Sequence, residues 1–428
     1  MLHRRSSKGF SMNILFLADN FPPERNAQAS RVFERACYWV RWGHNVTVIT
    51  CCPNFPEGKA YAGYENRWRQ VDVLNGIRVV RVKTFFAPNA GRILRILDVL
   101  SYMVTAFFAG LLEPRPDVVV ASSPQFFAAV CACALSMLRR LPFVLEISDL
   151  WPDSIVAVGA MKRGTVVRCL EKVEMFLYWR ASRVVTLTSA FKDNLMSRGI
   201  PSDKVDIIIN GVDLQRYSPR PRDHALACQW GIGEDDLVVG YIGTLGMAHA
   251  LQNVLRAAAL VSDRQVRFVF VGSGAERTRL IAESERMTLK NVTFVPAQPK
   301  ELVANAWSIC NIALVHLKNA PLFRTVIPSK IFEAMGMGLP ILLVAPEGEA
   351  SHIVRREEVG LCVPAEDPKE LASAILFLKE NRQILHHLSR RSCEAAPRYS
   401  RERQARDMLA TLHASLAGKR AVTISEAV

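Results

Sequence analysis

The chain has 428 residues, of which 50% are hydrophobic and 22% are charged, and its formal net charge is +14. A chain of this length is too long for one hydrophobic core and predicts two domains. Its ten cysteines form no C-x-x-C pair and no zinc-spaced cluster with histidine, so a zinc site and a disulfide framework are both disfavoured. We interpret them as reduced cysteines of a cytoplasmic protein.

The positive charge is concentrated in the first half. Residues 1–210 hold 27 Lys and Arg against 17 Asp and Glu, which favours a nucleic acid or an anionic membrane surface as partner. We find no basic run interleaved with aromatic residues and no nucleic-acid motif. The membrane surface is therefore the preferred partner, and nucleic acid is not expected to bind.

Strands and helices alternate after a basic amino end. Residues 1–11 lack an apolar stretch long enough for a secretory signal, and we expect a disordered arm or an over-extended start before Met12. A strand, a helix and a second strand then open a doubly wound parallel sheet covered on both faces, whose ligands lie beyond the carboxyl ends of its strands. The predicted segments are strand Asn13–Asp19, helix Gln28–Trp42, and strands His44–Thr50, Asp117–Ser122, Phe143–Ile147, Val184–Leu187 and Val205–Ile209.

Two apolar segments have lengths near that of a membrane span. Ile93–Leu112 carries two charged residues, whereas Val118–Leu138 carries none. Pro124 splits the second segment, which favours a buried strand followed by a buried helix. We therefore predict peripheral attachment to the inner face of the plasma membrane, through basic residues that flank the apolar helices: Arg92, Arg95, Arg139, Arg140, Lys162 and Arg163.

A second strand series follows the first. Its first two strands lead into glycine-bearing loops, Gly243-Thr244-Leu245-Gly246 and Gly272-Ser273-Gly274, which permit close backbone approach to phosphate or sugar. The predicted strands are Leu237–Ile242, Phe268–Val271, Asn291–Val295, Asn311–His316 and Ile341–Val344. We place the domains at 12–217 and 218–398, with a terminal helix and tail at 399–428.

The segment Lys318–Pro340 carries the most chemistry. Ser329 is predicted to cap a short helix in which Lys330 and Glu333 share one stripe. A lysine at a helix amino end suits an anion, and a glutamate one turn later can accept hydrogen bonds from two ribose hydroxyls. The pair predicts a nucleoside diphosphate site. The competing interpretation is a solvated Lys–Glu pair on an ordinary amphipathic helix.

Asp149 follows a predicted strand in the sequence EISDLWPDS. Its carboxylate would project beyond the carboxyl end of the first sheet, where a substrate is expected. The alternative is a turn or helix-capping role before Pro152.

Ordered motifs along the chain resemble those of the family-four retaining glycosyltransferases of the GT-B type. The matching stretches are NFPPE at 20–24, WGHNVTVIT at 42–50, DLWPDS at 149–154, NGVD at 210–213, GSGAE at 272–276 and PSKIFEAMGMGLP at 328–340. The chain most resembles the bacterial O-antigen and capsule N-acetylfucosamine transferases. This resemblance implies an α/β fold of two Rossmann-like domains facing across a cleft, with a C-terminal helix crossing back to the first domain.

The resemblance also implies the substrates. A nucleotide sugar, of UDP type, would bind the second domain, and a polyprenyl-diphosphate-linked saccharide acceptor would bind the first. Glu333 would bind the ribose. The stretch GTLGMAH lacks the Arg and Lys that usually bind the phosphates, so the candidate phosphate cations are Lys330, His249 and Arg324. The donor site would be lined by Gly243, Thr244, Gly246, Gly272, Gly274 and Ser329.

The chain departs from the family pattern at several positions. Thr325 replaces the first glutamate of the E-x7-E pattern, Ser148-Asp149 replaces a His-Asp pair, and Asn26, Ala27 and Gln28 stand where a diglycine is usual. No D-x-D motif is present, so we predict no obligatory metal and no cofactor, with helix amino ends and basic side chains stabilising the leaving diphosphate. The alternatives are a nucleotide-sugar epimerase of the same architecture and a catalytically inactive membrane-associated scaffold.

Overall fold

The computed structural model describes residues 11–24, 26–55, 57–86, 92–123, 125–152 and 163–425. The predicted arm up to residue 10, Lys162 and the side chains of Arg92 and Arg95 lie outside the described part. The chain divides into two compact units, one holding residues up to 209 together with those from 404 onward, the other holding 210–403. The sequence prediction put the corresponding boundaries after residues 217 and 398.

The first unit contains, among its described residues, one sheet of eight strands in the order β3-β4-β2-β1-β5-β6-β7-β8. Its strands are β1 Asn13–Leu17, β2 Asn45–Cys51, β3 Arg69–Leu74, β4 Ile77–Val82, β5 Val118–Ser123, β6 Phe143–Ile147, β7 Arg183–Thr186 and β8 Val205–Ile207. Its first helices are α1 Ala27–Arg41, α2 Arg92–Leu112, α3 Phe126–Leu138, α4 Thr165–Arg180 and α5 Ser189–Ser197.

The second unit contains one six-stranded parallel sheet in its described residues, ordered β11-β10-β9-β12-β13-β14. The strands are β9 Leu237–Ile242, β10 Val266–Val271, β11 Val292–Val295, β12 Ile312–His316, β13 Ile341–Val344 and β14 Gly360–Val363. The helices are α6 His224–Gln229, α7 Gln252–Leu260, α8 Arg277–Arg286, α9 Val303–Ser308, α10 Lys330–Met337, α11 Glu349–Arg356, α12 Pro368–Glu380 and α13 Arg382–Ala395, and α14 Arg401–Ser425 follows.

The expected parallel pairing holds for every strand pair but one. Strand β3 pairs antiparallel with β4 through a two-residue turn in which Asn75 and Gly76 both have positive φ. Asn-Gly is the preferred sequence for such a turn, because both residues tolerate this backbone conformation. The sequence analysis missed this hairpin, and it also missed β14.

The uncharged segment 118–138 is divided as predicted into buried strand β5 and helix α3. In the part of the chain that the structure describes, no helix has both the length and the apolar character needed to span a bilayer. The apolar run therefore reflects burial in a doubly wound sheet.

The terminal helix α14 packs against the first unit. Ala405, Met408 and Leu412 are fully buried in the same core cluster as Trp39 of α1. The indole Nε1 of Trp39 donates a 2.9 Å hydrogen bond to the carbonyl oxygen of Ala405. This contact explains why the residues from 404 onward belong with the amino-terminal half.

We expect Leu412→Ala to lower the free energy of unfolding of the first unit by about 2–4 kcal/mol, because it opens a cavity at a fully buried position. Hydrogen exchange should accelerate in α1 and leave β9–β14 unchanged. The matched control is Leu260→Ala, the same change at a side chain that is 51% exposed. Equal effects of the two variants, or faster exchange throughout the second unit, would contradict this role of α14.

Candidate active site

The second sheet has one position where the strand order reverses. Strand β9 lies between β10, the next strand in sequence, and β12, the third strand after β9 in sequence. Because the chain passes from β9 to β10 on one side and from β12 to β13 on the other, a ligand is expected beyond the carboxyl ends of β9 and β12. The residues that follow β9 and end β12 are therefore the first candidates for ligand contact.

Glycines allow the loops after β9 and β10 to cross closely. Gly272 has φ +156°, and a Cβ atom there would lie 1.9 Å from the carbonyl oxygen of Gly243. Gly274 has φ +152°, and its Cβ would lie 2.3 Å from the carbonyl oxygen of Leu245. These two positions exclude any side chain, which explains the glycine spacing seen in the sequence.

Helix α10 begins at Lys330 and ends with Gly338 in the left-handed conformation. Ser329 precedes it with helical dihedral angles and makes no side-chain capping hydrogen bond. The prediction that Ser329 caps the helix is wrong, because a serine needs an extended backbone for its oxygen to reach the next amides. Its exposed side chain leaves the helix amino end open.

Lys330 is the central feature of this site. Its side chain reaches toward the β9 loop, where its Nζ atom lies 3.1 Å from the position a Cβ would take on Gly243. The ammonium sits 3.8 Å from the ring centroid of Tyr241, a cation–π contact. Lys330 is only 8% exposed, and its Nζ has no hydrogen-bond partner among the described residues. A solvated Lys–Glu pair does not describe this helix.

Burial lowers the pKa of Lys330 from 10.5 to about 7, although the charge of Glu333 acts in the opposite direction. A buried ammonium without an acceptor is costly, and a bound anion would remove that cost. The position at the strand-order reversal and the missing partner therefore both point to an anionic ligand.

Two histidines lie beside Lys330. The Nδ1 atom of His249 is 3.1 Å from the carbonyl oxygen of His316, so the proton resides on Nδ1 and Nε2 remains an acceptor. Burial lowers the pKa of both histidines to about 4, with a further contribution from the charge of Lys330. Both rings are therefore neutral at pH 7 in the free protein, and the contact of His249 with phosphate stays a prediction.

Glu333 lies one turn along α10 and is half-buried. Its Oε2 atom accepts a 3.3 Å hydrogen bond from the indole of Trp307, which is fully buried on α9. Burial raises the pKa of this carboxyl group, while Trp307 and Lys330 lower it by less. A ribose hydroxyl could donate to the other carboxylate oxygen, Oε1.

The other predicted donor residues occupy less defined positions. Thr244 is exposed, and its carbonyl oxygen accepts a 2.7 Å hydrogen bond from the hydroxyl of Tyr241. Gly246 precedes the short 3-10 turn that contains His249. Arg324 is exposed at the end of another 3-10 turn, Pro321–Arg324, and Thr325 follows it. Their contacts with a donor stay predictions.

Asp149 belongs to the first unit, where it follows β6 and is half-buried. Its carbonyl oxygen accepts hydrogen bonds from the Ser123 hydroxyl and the Trp151 amide. The preceding Ser148 contacts both Ser122 and the guanidinium of Arg31. The loops after β5 and β6 are therefore joined at the carboxyl edge of the first sheet, where the sequence analysis placed Asp149.

A buried ion pair lies just before the loop that follows β6. The two terminal guanidinium nitrogens of Arg35, Nη1 and Nη2, donate to Glu146 at 3.1 and 2.7 Å, and Arg31 lies 3.7 Å from the same carboxylate. Burial alone raises the pKa of Glu146, but Arg35 and Arg31 outweigh it and bring the value to about 2.

Sequence reasoning missed Asp19, which stands at the strand-order reversal of the first sheet. It follows β1, and its amide donates to the side chain of Gln125 after β5. Its Oδ1 atom is buried without a hydrogen-bond partner among the described residues. Burial, with the charges of Glu24 and Asp98, raises the pKa of Asp19 to about 7. Its place two residues after the first strand was the available signal.

Tyr241, Trp307 and His316 were also missed, because each reads as an ordinary core residue within an apolar segment. Within the described ranges, no three His, Cys, Asp or Glu side chains are arranged to hold a metal ion. The expectation that no metal is obligatory stays a prediction.

Comparison with known protein families divides the chain in the same way as its two units. Residues 26–211 match the glycosyl transferase 4-like domain, and residues 225–395 match the glycosyl transferases group 1.

Relatives of similar length carry both parts. The chain is 23% identical over 395 residues to WcaI of Escherichia coli K12, named as a colanic acid biosynthesis glycosyl transferase, covering 90% of this chain and 97% of WcaI. It is 26% identical over 385 residues to a GDP-mannose-dependent alpha-mannosyltransferase of Mycobacterium tuberculosis, covering 89% and 92%. The crystal structure of Anabaena HepE with UDP superposes with a TM-score of 0.69 at 20% identity, covering 94% of this chain and all of HepE.

These matches agree with the two doubly wound sheets and with the order of the motifs. The chain belongs to the family-four glycosyltransferases and has their two-domain α/β GT-B fold.

Proposed function

We propose that this glycosyltransferase takes its sugar from a nucleoside diphosphate sugar whose diphosphate binds Lys330. The observation that carries this proposal is the buried ammonium at the reversal of strand order, which has no acceptor among the described residues. A diphosphate supplies the missing negative charge, and the glycine loops keep bulky groups away from it. Glu333, held by Trp307, then binds the ribose hydroxyls.

The donor is proposed to be a UDP sugar, with N-acetylfucosamine or a related amino sugar as the transferred group. HepE binds UDP in its crystal structure, which supports uridine as the base. The mycobacterial relative is GDP-dependent, so GDP is the second candidate to test. The sugar follows from the resemblance to the N-acetylfucosamine transferases, and WcaI supports a role in surface polysaccharide synthesis.

The reaction is proposed to retain the anomeric configuration. The bond between the anomeric carbon and the diphosphate oxygen breaks, while the acceptor oxygen bonds to the same face of that carbon. The departing phosphate oxygen takes the proton of the acceptor hydroxyl. Lys330 stabilises the charge that develops on the diphosphate, and Asp149 or Asp19 of the first unit orients the acceptor hydroxyl.

The acceptor is proposed to be a polyprenyl-diphosphate-linked saccharide at the inner face of the plasma membrane. Helices α2, α3 and α4 of the first unit leave large apolar side chains exposed, among them Phe108, Leu112, Leu138, Phe176 and Trp179. Arginines at 139, 140 and 163 flank them. Exposed apolar groups beside cations are typical of a surface that rests on anionic lipid.

We expect Lys330→Gln to weaken binding of UDP roughly tenfold or more and to leave binding of uridine unchanged, because only the phosphates contact the ammonium. Calorimetric titration of both ligands, with GDP and guanosine as the second pair, measures this difference. The control is Lys290→Gln, at an exposed lysine that precedes β11 in the same unit, which should leave both affinities unchanged. If Lys330→Gln weakened the binding of UDP and of uridine equally, the diphosphate would not bind at Lys330.

The affinity for UDP should fall as the pH rises above about 7. Lys330 has its pKa near 7 in the free protein, and a diphosphate favours the charged form, so binding takes up a proton. The affinity then declines by up to about tenfold per pH unit between roughly pH 7 and 9. His249 and His316 are already neutral in this range, and the pKa of Tyr241 is raised above it.

Calorimetry in buffers of different ionisation enthalpy measures the proton uptake directly. The control is Lys330→Arg, whose guanidinium stays charged and should give a flat profile. A wild-type affinity that does not change across this range would contradict a titrating Lys330.

Glu333→Gln separates the proposed transferase from the scaffold alternative. Loss of the ribose contact should reduce sugar transfer by roughly tenfold or more, whereas a scaffold would keep its cellular phenotype. Incubating wild-type protein with the nucleotide sugar alone tests the epimerase alternative, since only an epimerase converts the donor without an acceptor. The matched control is Glu358→Gln, an exposed glutamate of the same unit. Unchanged transfer by Glu333→Gln would remove this residue from the donor site.

A further inference from the structure

A basic cavity lies in the first unit, at the opposite edge of the sheet from Asp149 and Asp19. It has a volume of about 670 Å³ and is formed by the segments that precede β6, β7 and β8, together with part of α14. Because β6, β7 and β8 are parallel, these segments meet at the amino edge of the sheet. Asp149 follows β6 at the opposite edge, about 16 Å away for a strand of this length. We call this cavity the amino-edge pocket.

The amino-edge pocket is lined by more positive than negative charge. Four cationic side chains face it, Arg140, Arg180, Arg183 and Lys204, against one carboxylate, that of Asp203. Three separate connections supply them, so the cluster is a product of the fold and not of one basic stretch of sequence.

Part of this charge is already engaged. Arg183 donates to the carbonyl oxygen of Asp203 and lies 3.6 Å from the carboxylate of Asp206. Lys204 donates a 2.6 Å hydrogen bond to the carbonyl oxygen of Trp179. An ammonium has three donors and a guanidinium has five, so each of these groups keeps N–H bonds for a ligand.

Arg180 and Lys204 repel each other across the pocket. Burial lowers the pKa of Lys204, and the positive charge of Arg180 lowers it further, while Asp203 raises it by less. An anion between the two cations would remove this repulsion. A phosphate group offers several oxygen acceptors with the charge to match, and arginine binds it through paired N–H donors.

The pocket adjoins the exposed apolar side chains of α3 and α4. Met137, which is 47% exposed, lines it, and Trp179 lies beside it with its ring 5.9 Å from the ammonium of Lys204. An apolar rim around a cationic pocket fits an anionic phospholipid, whose headgroup would enter the pocket while its chains meet the rim. A soluble phosphate ester would need only the pocket.

We propose that the amino-edge pocket binds a phosphate group, carried by an anionic lipid headgroup or by a soluble phosphate ester. This site is separate from the donor site of Lys330, so the two proposals can fail independently.

Inorganic phosphate and lipid vesicles serve as the two probes. Phosphate binding is measured by calorimetry on the full chain carrying Lys330→Gln, so that the proposed donor site does not contribute. Vesicle binding is measured by co-sedimentation with phosphatidylcholine alone and with phosphatidylcholine mixed with phosphatidylglycerol. Binding of each probe is measured for the chain with and without Arg180→Gln. Arg180→Glu and Arg140→Gln are two further pocket variants. Arg264→Gln, at an exposed arginine of the second unit, is the control, and thermal melts verify that each variant folds.

We expect Arg180→Gln to weaken phosphate binding roughly tenfold and Arg180→Glu to weaken it more, with no effect of Arg264→Gln. If binding to phosphatidylglycerol vesicles also falls, by about fivefold for each charge removed, the ligand is a lipid headgroup. If vesicle binding is unchanged, the ligand is a soluble phosphate ester. Phosphate binding that is absent from the Lys330→Gln chain, or unaffected by all three pocket variants, overturns the proposal.

Discussion

The buried ammonium of Lys330 constrains much of what surrounds it. Its Nζ atom lies over the ring of Tyr241 and against Gly243, and it finds no acceptor among the described residues. Holding a charge in such a place costs stability, and a protein retains that cost where a ligand of opposite charge relieves it. Gly272 and Gly274 belong to the same arrangement, because only residues without a Cβ let the two loops close over this point.

The two units share one sheet architecture but differ in the charge of the ionisable group at the reversal of strand order. Each is a doubly wound sheet, and in each an ionisable group lies near the carboxyl end of the strand at the reversal of strand order. In the second unit that group is cationic, as a diphosphate leaving group requires. In the first unit it is the carboxyl group of Asp19, whose raised pKa suits contact with a hydroxyl that loses its proton. The division suits the donor side and the acceptor side that we propose.

Much of the fold could be predicted from the sequence because apolar segments of strand length are separated by helical periodicity. β9 and β13 were predicted to the residue, and Pro124 correctly divided the longest uncharged run. The Asn75-Gly76 hairpin was missed because β3 is a partly exposed edge strand in which arginine, glutamine and aspartate interrupt the apolar residues. In the candidate site, Lys330 and Glu333 stood out by their spacing, whereas His316 and Tyr241 did not. Burial decides the chemistry of those two residues, and burial depends on contacts distant in sequence.

A crystal structure of the full chain with bound UDP tests the central claim most directly. The account predicts a phosphate oxygen within about 3 Å of the Lys330 Nζ atom and a ribose hydroxyl hydrogen-bonded to Glu333. Ordered UDP bound elsewhere, with the Lys330 ammonium still lacking an acceptor, would contradict it.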